Sequence, residues 1–167
     1  MKKATILKWI FLALTVAVNV FIIVNAATNG ATSAEESGRF SRFMASVVNA
    51  FYPNFVTEAN FDSFAYMIRK LFGHFGLFVL NGLVSTVTAF LFLKDTKLKK
   101  NYSVFSIALV FGLMIAIISE LIQIFTPDRY GSWGDIGIDF GGFVLGNVLI
   151  FAVLYFFDFI NLKEAQK

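Results

Sequence analysis

Long apolar runs, separated by short polar or charged stretches, divide the chain. They predict membrane-spanning helices over residues 9–27, 73–93, 103–125 and 136–159. About 20 residues at 1.5 Å per residue cross the roughly 30 Å hydrocarbon core, and each run has that length. Lys2, Lys3 and Lys8 lead into the first run, and Pro127 closes the third. Val24-Asn25-Ala26 also fits a small-residue signal-peptidase site, so a cleaved signal peptide is the rival of a retained first span. The length of the apolar stretch favours retention.

Between the first two runs the pattern changes. Residues 28–38 are rich in Ser, Thr, Asn and Gly and are expected to form a polar loop. Phe40, Phe43, Met44, Val47, Val48 and Phe51 then recur at helical spacing, with Arg39, Arg42, Ser46 and Asn49 opposite, until Pro53 stops the pattern. A helix this short and polar does not span. It suits the headgroup layer, and packing against the neighbouring spans satisfies the same pattern. Phe61, Ala65, Ile68 and Phe72 start a further helical face leading into the second span. The expected fold is an all-α membrane protein: four transmembrane helices plus an outer interfacial amphipathic helix after the first span. Residues 1–167 form one membrane domain, with 39–70 as the extracytoplasmic interfacial segment.

Composition agrees. The chain is 57% hydrophobic and 15% charged, carries 22 Phe, and has a mean hydropathy of +0.73, which excludes an ordinary soluble domain. Absence of cysteine excludes disulfides, thiolate nucleophiles and Cys-ligated zinc. No basic stripe is interleaved with aromatics, so no nucleic-acid partner is expected. Lys2, Lys3, Lys8, Lys94, Lys97, Lys99, Lys100, Lys163 and Lys167 outnumber Arg39, Arg42, Arg69, Lys70 and Arg129 across the predicted membrane. The positive-inside rule therefore puts both termini and the 94–100 loop in the cytoplasm.

That orientation gathers the unusual polar residues at the outer leaflet, with none stranded in the inner half. Arg69, Lys70 and His74 stand at the start of the second span, and Glu120 and Gln123 near the end of the third. Arg129 lies in the outer loop, while Asp135 and Asp139 open the fourth span. A charge at the centre of a span costs roughly 2.5–3.5 kcal/mol on insertion scales, so such groups need partners, water or a task. Lys70 and His74 share a face, as do Glu120 and Gln123, and as do Asp135, Asp139, Gly142 and Gly146. The expected arrangement brings these faces together, with Arg129, Arg69 or Lys70 neutralising Glu120 and the aspartates. Gly142 and Gly146 are expected helix-packing positions. Tyr130 and Trp133 suit an aromatic belt.

Three readings of this cluster stand side by side: packing, binding and catalysis. His74, the only histidine, is the one candidate general base. No nucleophile elbow is present, since Gly131-Ser132-Trp133-Gly134 does not fit one. A metal site from His74 and the carboxylates is conceivable, but no metal-ligand spacing supports it, and no metal or cofactor is expected.

Glu120-x-x-Gln123, then Arg129-x-x-Ser132-x-x-Asp135, then Gly142-x-x-x-Gly146 resembles the VanZ-like family of small bacterial membrane proteins. Arg69-Lys70-x-x-Gly73-His74-Phe75 is similar to that family's Arg-Lys-x-x-His-Phe entry to a span, and the Ser- and Glu-containing stretch around 33–37 is similar too. Asp139 stands where the family usually has Asn, and Leu77 and Phe78 stand where it often has Glu-Tyr. The resemblance implies a bacterial cell membrane and a link to glycopeptide or lipoglycopeptide (teicoplanin-type) tolerance, with no settled reaction. The favoured expectation is a non-catalytic envelope protein. Glu120, Gln123, Arg129, Ser132, Asp135 and Asp139, with Arg69, Lys70 and His74, would bind a membrane lipid, a lipid-linked wall precursor or a lipoglycopeptide drug. The alternatives are an enzyme modifying a lipid-linked substrate with His74 as base, or an assembly scaffold acting through Gly142 and Gly146.

Overall fold

The structure is a computed structural model that describes residues 2–93, 96 and 101–164. Lys94, Lys97, Lys99, Lys100 and Lys167, which weigh in the expected orientation, lie outside the described residues. Among the described residues all regular structure is helical: α1 (Lys2–Ala27), α2 (Gly30–Phe51), α3 (Phe61–Ile68), α4 (Leu77–Leu93), α5 (Asn101–Ile124) and α6 (Trp133–Glu164). A π-helical segment, Arg69–Gly76, joins α3 to α4 without a break.

Four stretches are long and apolar enough to cross a membrane: Thr5–Ala27, Phe61–Leu93, Ser103–Ile124 and Trp133–Phe156. The second has 33 residues, well beyond the roughly 20 a bilayer needs. α2 is not a span, and its amphipathic sequence suits the headgroup layer. This is the expected plan of four spans and one interfacial helix.

α2 begins earlier than its sequence suggests. Residues 28–38 are not a loop: only Thr28 and Asn29 interrupt the helices, and the Asn29 side chain accepts from the Ala31 N–H as an N-cap. Capping satisfies an amide that the Ser- and Gly-rich composition would otherwise leave to water. The face that α2 buries carries small residues, Ser33, Ser41 and Ala45, while Phe43 and Phe51 remain exposed. Met44 and Val48 pack on a cluster of Ala45, Val56, Phe64 and Ile68, which fastens α2 to α3.

The most extensive helix contact is α4 on α6. Glycine makes it possible. A Cβ on Gly142 would lie 2.3 Å from the Phe75 carbonyl oxygen, and one on Gly146 would lie 2.2 Å from that of Val79. In hydrocarbon no hydrophobic force pulls helices together, so close backbone approach and dispersion must supply the attraction. Phe143, fully buried, fills the space between with Ile22, Phe78, Ala108 and Ala116.

Polar groups also occur deeper. Asn81 and Asn19 exchange side-chain hydrogen bonds of 3.2 Å, Ser85 donates to Asn81 at 2.8 Å, and Thr15 pairs with Thr88 at 2.8 Å. Asn147 is fully buried. Asn81 lies about 10 Å farther along its helix than His74 at helical rise. The expectation that every unusual polar residue sits at one leaflet is therefore corrected. It describes the ionisable groups and overlooks neutral amides, which cost less to bury and join α1 to α4.

Candidate functional site

The π-helical segment and α6 enter the bundle from the same end, and their polar faces meet as two rungs. Lys70 Nζ pairs with Asp135 Oδ1. Four residues on along both helical segments, His74 Nδ1 lies 3.1 Å from Asp139 Oδ1. Each π turn closes with i→i+5 hydrogen bonds and such turns are frequent at functional sites; here the segment carries Arg69, Lys70 and His74.

α5 adds the third face. Glu120 is 2% exposed; its Oε1 accepts from Gln123 Nε2 at 2.9 Å and its Oε2 from the Ser132 backbone N–H at 2.8 Å. Ser132 also starts α6: its carbonyl accepts from the Asp135 and Ile136 N–H groups, and its hydroxyl from that of Gly134. One short loop thus fixes both the Glu120 carboxylate and the start of the helix bearing the aspartates. His74, Glu120 and Asp139 converge so closely that one ligand atom from each lies within 4.8 Å of the others.

Of the three bases expected to neutralise these acids, Lys70 does so at Asp135, whereas Arg129 touches none of them. Its Nη2 donates to the Asn25 carbonyl at 2.6 Å and its Nε to that of Thr28 at 3.2 Å. The end of α1 leaves carbonyls without helical partners, and a guanidinium carries donors spaced to take two of them. Thr126 donates to Ala26 at 3.2 Å and Gly30 to Pro127 at 3.0 Å, completing the tie between loop and helix end. Burial first, and then the positive charge of Arg69, lowers the Arg129 pKa from its ordinary value, with Glu120 opposing. Arg69 makes no ion pair among the described residues.

A cavity of about 510 Å³ opens beside this cluster. His74, Asp139, Gln123, Arg69 and Arg129 supply its polar side, and Phe21, Phe40, Phe72 and Leu80 line its apolar side. Glu120, Ser132, Asp135 and Lys70 do not border it. The Lys70–Asp135 rung stands outside, with Lys70 also over the Tyr66 ring at 5.3 Å. Ser33, Glu36 and Ser37 of α2 do border it, and only the family resemblance around 33–37 pointed to them. Phe40 meets Phe72 edge to face at 5.5 Å, pinning α2 to the π-helical segment beside the cavity. Tyr130 and Trp133 are almost fully exposed, away from the cluster.

The polar series that builds this site belongs to one matched stretch, because residues 10–157 match the VanZ/LLP1 family. The chain belongs to the VanZ/LLP1 family. No curated protein and no solved structure matches it. In this VanZ/LLP1 chain the matched region holds all four candidate spans, α2 and the whole cavity wall, save the outermost residues of α1 and α6. Family membership therefore covers the site together with the frame that holds it.

Proposed function

We propose that this VanZ/LLP1 protein binds the anionic headgroup of a membrane amphiphile in the cavity beside His74 and Asp139. One observation carries the reading: two guanidiniums, Arg69 and Arg129, border a cavity that aromatic and aliphatic side chains also line. Burial first, and then the like charge of Arg69, lowers the Arg129 pKa, so the two guanidiniums repel one another. An anion between them relieves that repulsion, and arginine suits phosphate or carboxylate oxygens through its fork of donors. The volume falls within the 300–1,000 Å³ of typical ligand sites, room for a headgroup rather than a whole wall precursor.

Gln123, held against Glu120, offers an amide to the same headgroup, and Phe21, Phe40 and Phe72 receive the chain that follows it. Glu120, Ser132, Asp135 and Lys70 act from behind, fixing the helices whose residues reach the cavity. Placed at the extracytoplasmic face of a bacterial cell membrane, such a pocket meets lipid-linked wall precursors and lipoglycopeptides, which gives a route to teicoplanin-type tolerance. Binding, rather than turnover, is the function.

The test uses the full chain in lipid nanodiscs, titrated with phosphatidylglycerol and, separately, phosphatidylcholine. Arg69→Ala is expected to weaken phosphatidylglycerol binding at least tenfold at unchanged protein level, and Arg69→Lys to restore part of it. Equal binding of both lipids by the wild type, or no change in Arg69→Ala, refutes the reading. A modified lipid appearing during incubation, and lost with His74→Ala, would favour the enzyme instead.

A further inference from the structure

We infer that His74, Glu120 and Asp139 form a binding site for one divalent transition-metal ion of the Zn²⁺ class. No spacing in the sequence marks it, because the three ligands come from the π-helical segment, α5 and α6. Folding alone brings one ligand atom of each within 4.8 Å of the others.

Charge balance points to a cation. Glu120 and Asp139 are 2% and 1% exposed and lie within spanning helices, where an isolated carboxylate is costly. Of the bases near them, Lys70 pairs with Asp135 and Arg129 donates to the Asn25 and Thr28 carbonyls, while Arg69 borders the cavity without pairing with either carboxylate. Among the described residues Glu120 has no ion-pair partner, and Asp139 has only His74. Were both carboxylates ionised, the cluster would be negative whichever form the imidazole takes. A divalent ion on two carboxylates and a neutral imidazole brings it to zero.

The geometry suits such an ion. Bonds of 2.0–2.1 Å in a tetrahedron put neighbouring ligand atoms about 3.3 Å apart. The His74–Asp139 edge is already 3.1 Å, so binding asks only for a modest inward movement of Glu120. Gln123 and the Ser132 N–H hold that carboxylate by hydrogen bonds, the outer-shell support that metal-binding carboxylates commonly have. Mixed imidazole and carboxylate donors suit zinc and, less tightly, manganese. Three protein ligands leave a fourth position, and His74 and Asp139 border the cavity, so that position faces it. There the ion takes an oxygen of the bound headgroup. This last step rests on the headgroup reading, whereas metal binding does not.

The full chain, purified in detergent and stripped with a chelator, is titrated with Zn²⁺ against a chromophoric competitor. One equivalent should bind and raise the thermal unfolding midpoint. Glu120→Gln and Asp139→Asn should each weaken binding about 100-fold or more and abolish the thermal shift, while Tyr130→Ala changes neither. Retained helical circular dichroism shows that each variant is folded. Arg69→Ala should keep Zn²⁺ affinity while losing phosphatidylglycerol, so the two proposals fail separately. A folded wild type that binds no stoichiometric Zn²⁺, or binds it as tightly after Glu120→Gln, overturns the site.

Discussion

His74 Nδ1 lies 3.1 Å from Asp139 Oδ1, one rung below the pairing of Lys70 with Asp135. Two helices that enter the membrane side by side thus present their polar groups in matching order. The outer rung keeps the inner one in register. Lys70 and Asp135 side chains are 21% and 10% exposed, so breaking the pair leaves a poorly hydrated charge. Removal of one partner of a buried pair costs about 3–5 kcal/mol, and partial hydration lowers that to roughly 2–3 here. Asp135→Leu or Lys70→Met alone should therefore lower stability, and the double variant should recover most of the loss. Denaturant unfolding in mixed micelles checks this. Losses that simply add would mean the pair is not coupled.

Helix approach at the glycines predicts a graded series on α6. Gly146→Ala sets a Cβ 2.2 Å from the Val79 carbonyl oxygen and 2.8 Å from the Leu83 nitrogen, both backbone atoms that cannot swing away. Overpacking of this kind costs about 1–3 kcal/mol. Gly141 has nothing within 4 Å of its added Cβ, so Gly141→Ala should be neutral or gain up to about 1 kcal/mol of helix propensity. Thermal unfolding of the two variants in one detergent separates them. Equal midpoints would show that the α4–α6 seam is loose.

Arg69 offers a case where stability and binding should move apart. It borders the same cavity as Arg129, whose charge it opposes, and makes no ion pair among the described residues, so Arg69→Gln relieves like-charge repulsion. The apo protein is expected to unfold a few degrees higher, while phosphatidylglycerol affinity falls. Residues kept for function commonly carry such a cost in stability. An apo protein that becomes less stable would indicate that Arg69 holds the fold together.

Much of this architecture is legible in the chain, for reasons that can be named. The i,i+4 spacing of Lys70 with His74, and of Asp135 with Asp139, survives folding because helical period fixes which side chains share a face. Gly142 and Gly146 announce a close contact because no other residue leaves that space. The partner of Arg129 is not legible: backbone carbonyls at the end of α1 leave no trace in residue type, so only side-chain acids looked available. Asn29 carries a usable N-cap signal, but the Ser- and Gly-rich stretch after it imitates a loop. His74, Glu120 and Asp139 come from three helices, and no one-dimensional motif records their meeting. Asn81 and Asn147 hide in apolar runs because a single neutral amide barely alters local hydropathy.

Those amides give opposite expectations. Asn81 is satisfied by Asn19 and Ser85, whereas Asn147 Oδ1 is buried with no hydrogen-bond partner and its Nδ2 reaches the Phe105 carbonyl only at 3.4 Å. Hydrogen bonds between membrane helices average about 0.6 kcal/mol and reach roughly 1.7. Asn81→Leu removes two interhelical bonds with Asn19 and strands its partner, so it should cost about 1–3 kcal/mol. Asn147→Leu removes an orphaned acceptor in exchange for one long bond and keeps the number and branching of side-chain heavy atoms. It should be neutral or stabilising by about 1 kcal/mol. Unfolding free energies of the two variants, measured under one set of conditions, decide the matter. A clear loss on Asn147→Leu would mean that its amide oxygen holds a buried water or ligand atom in the folded protein.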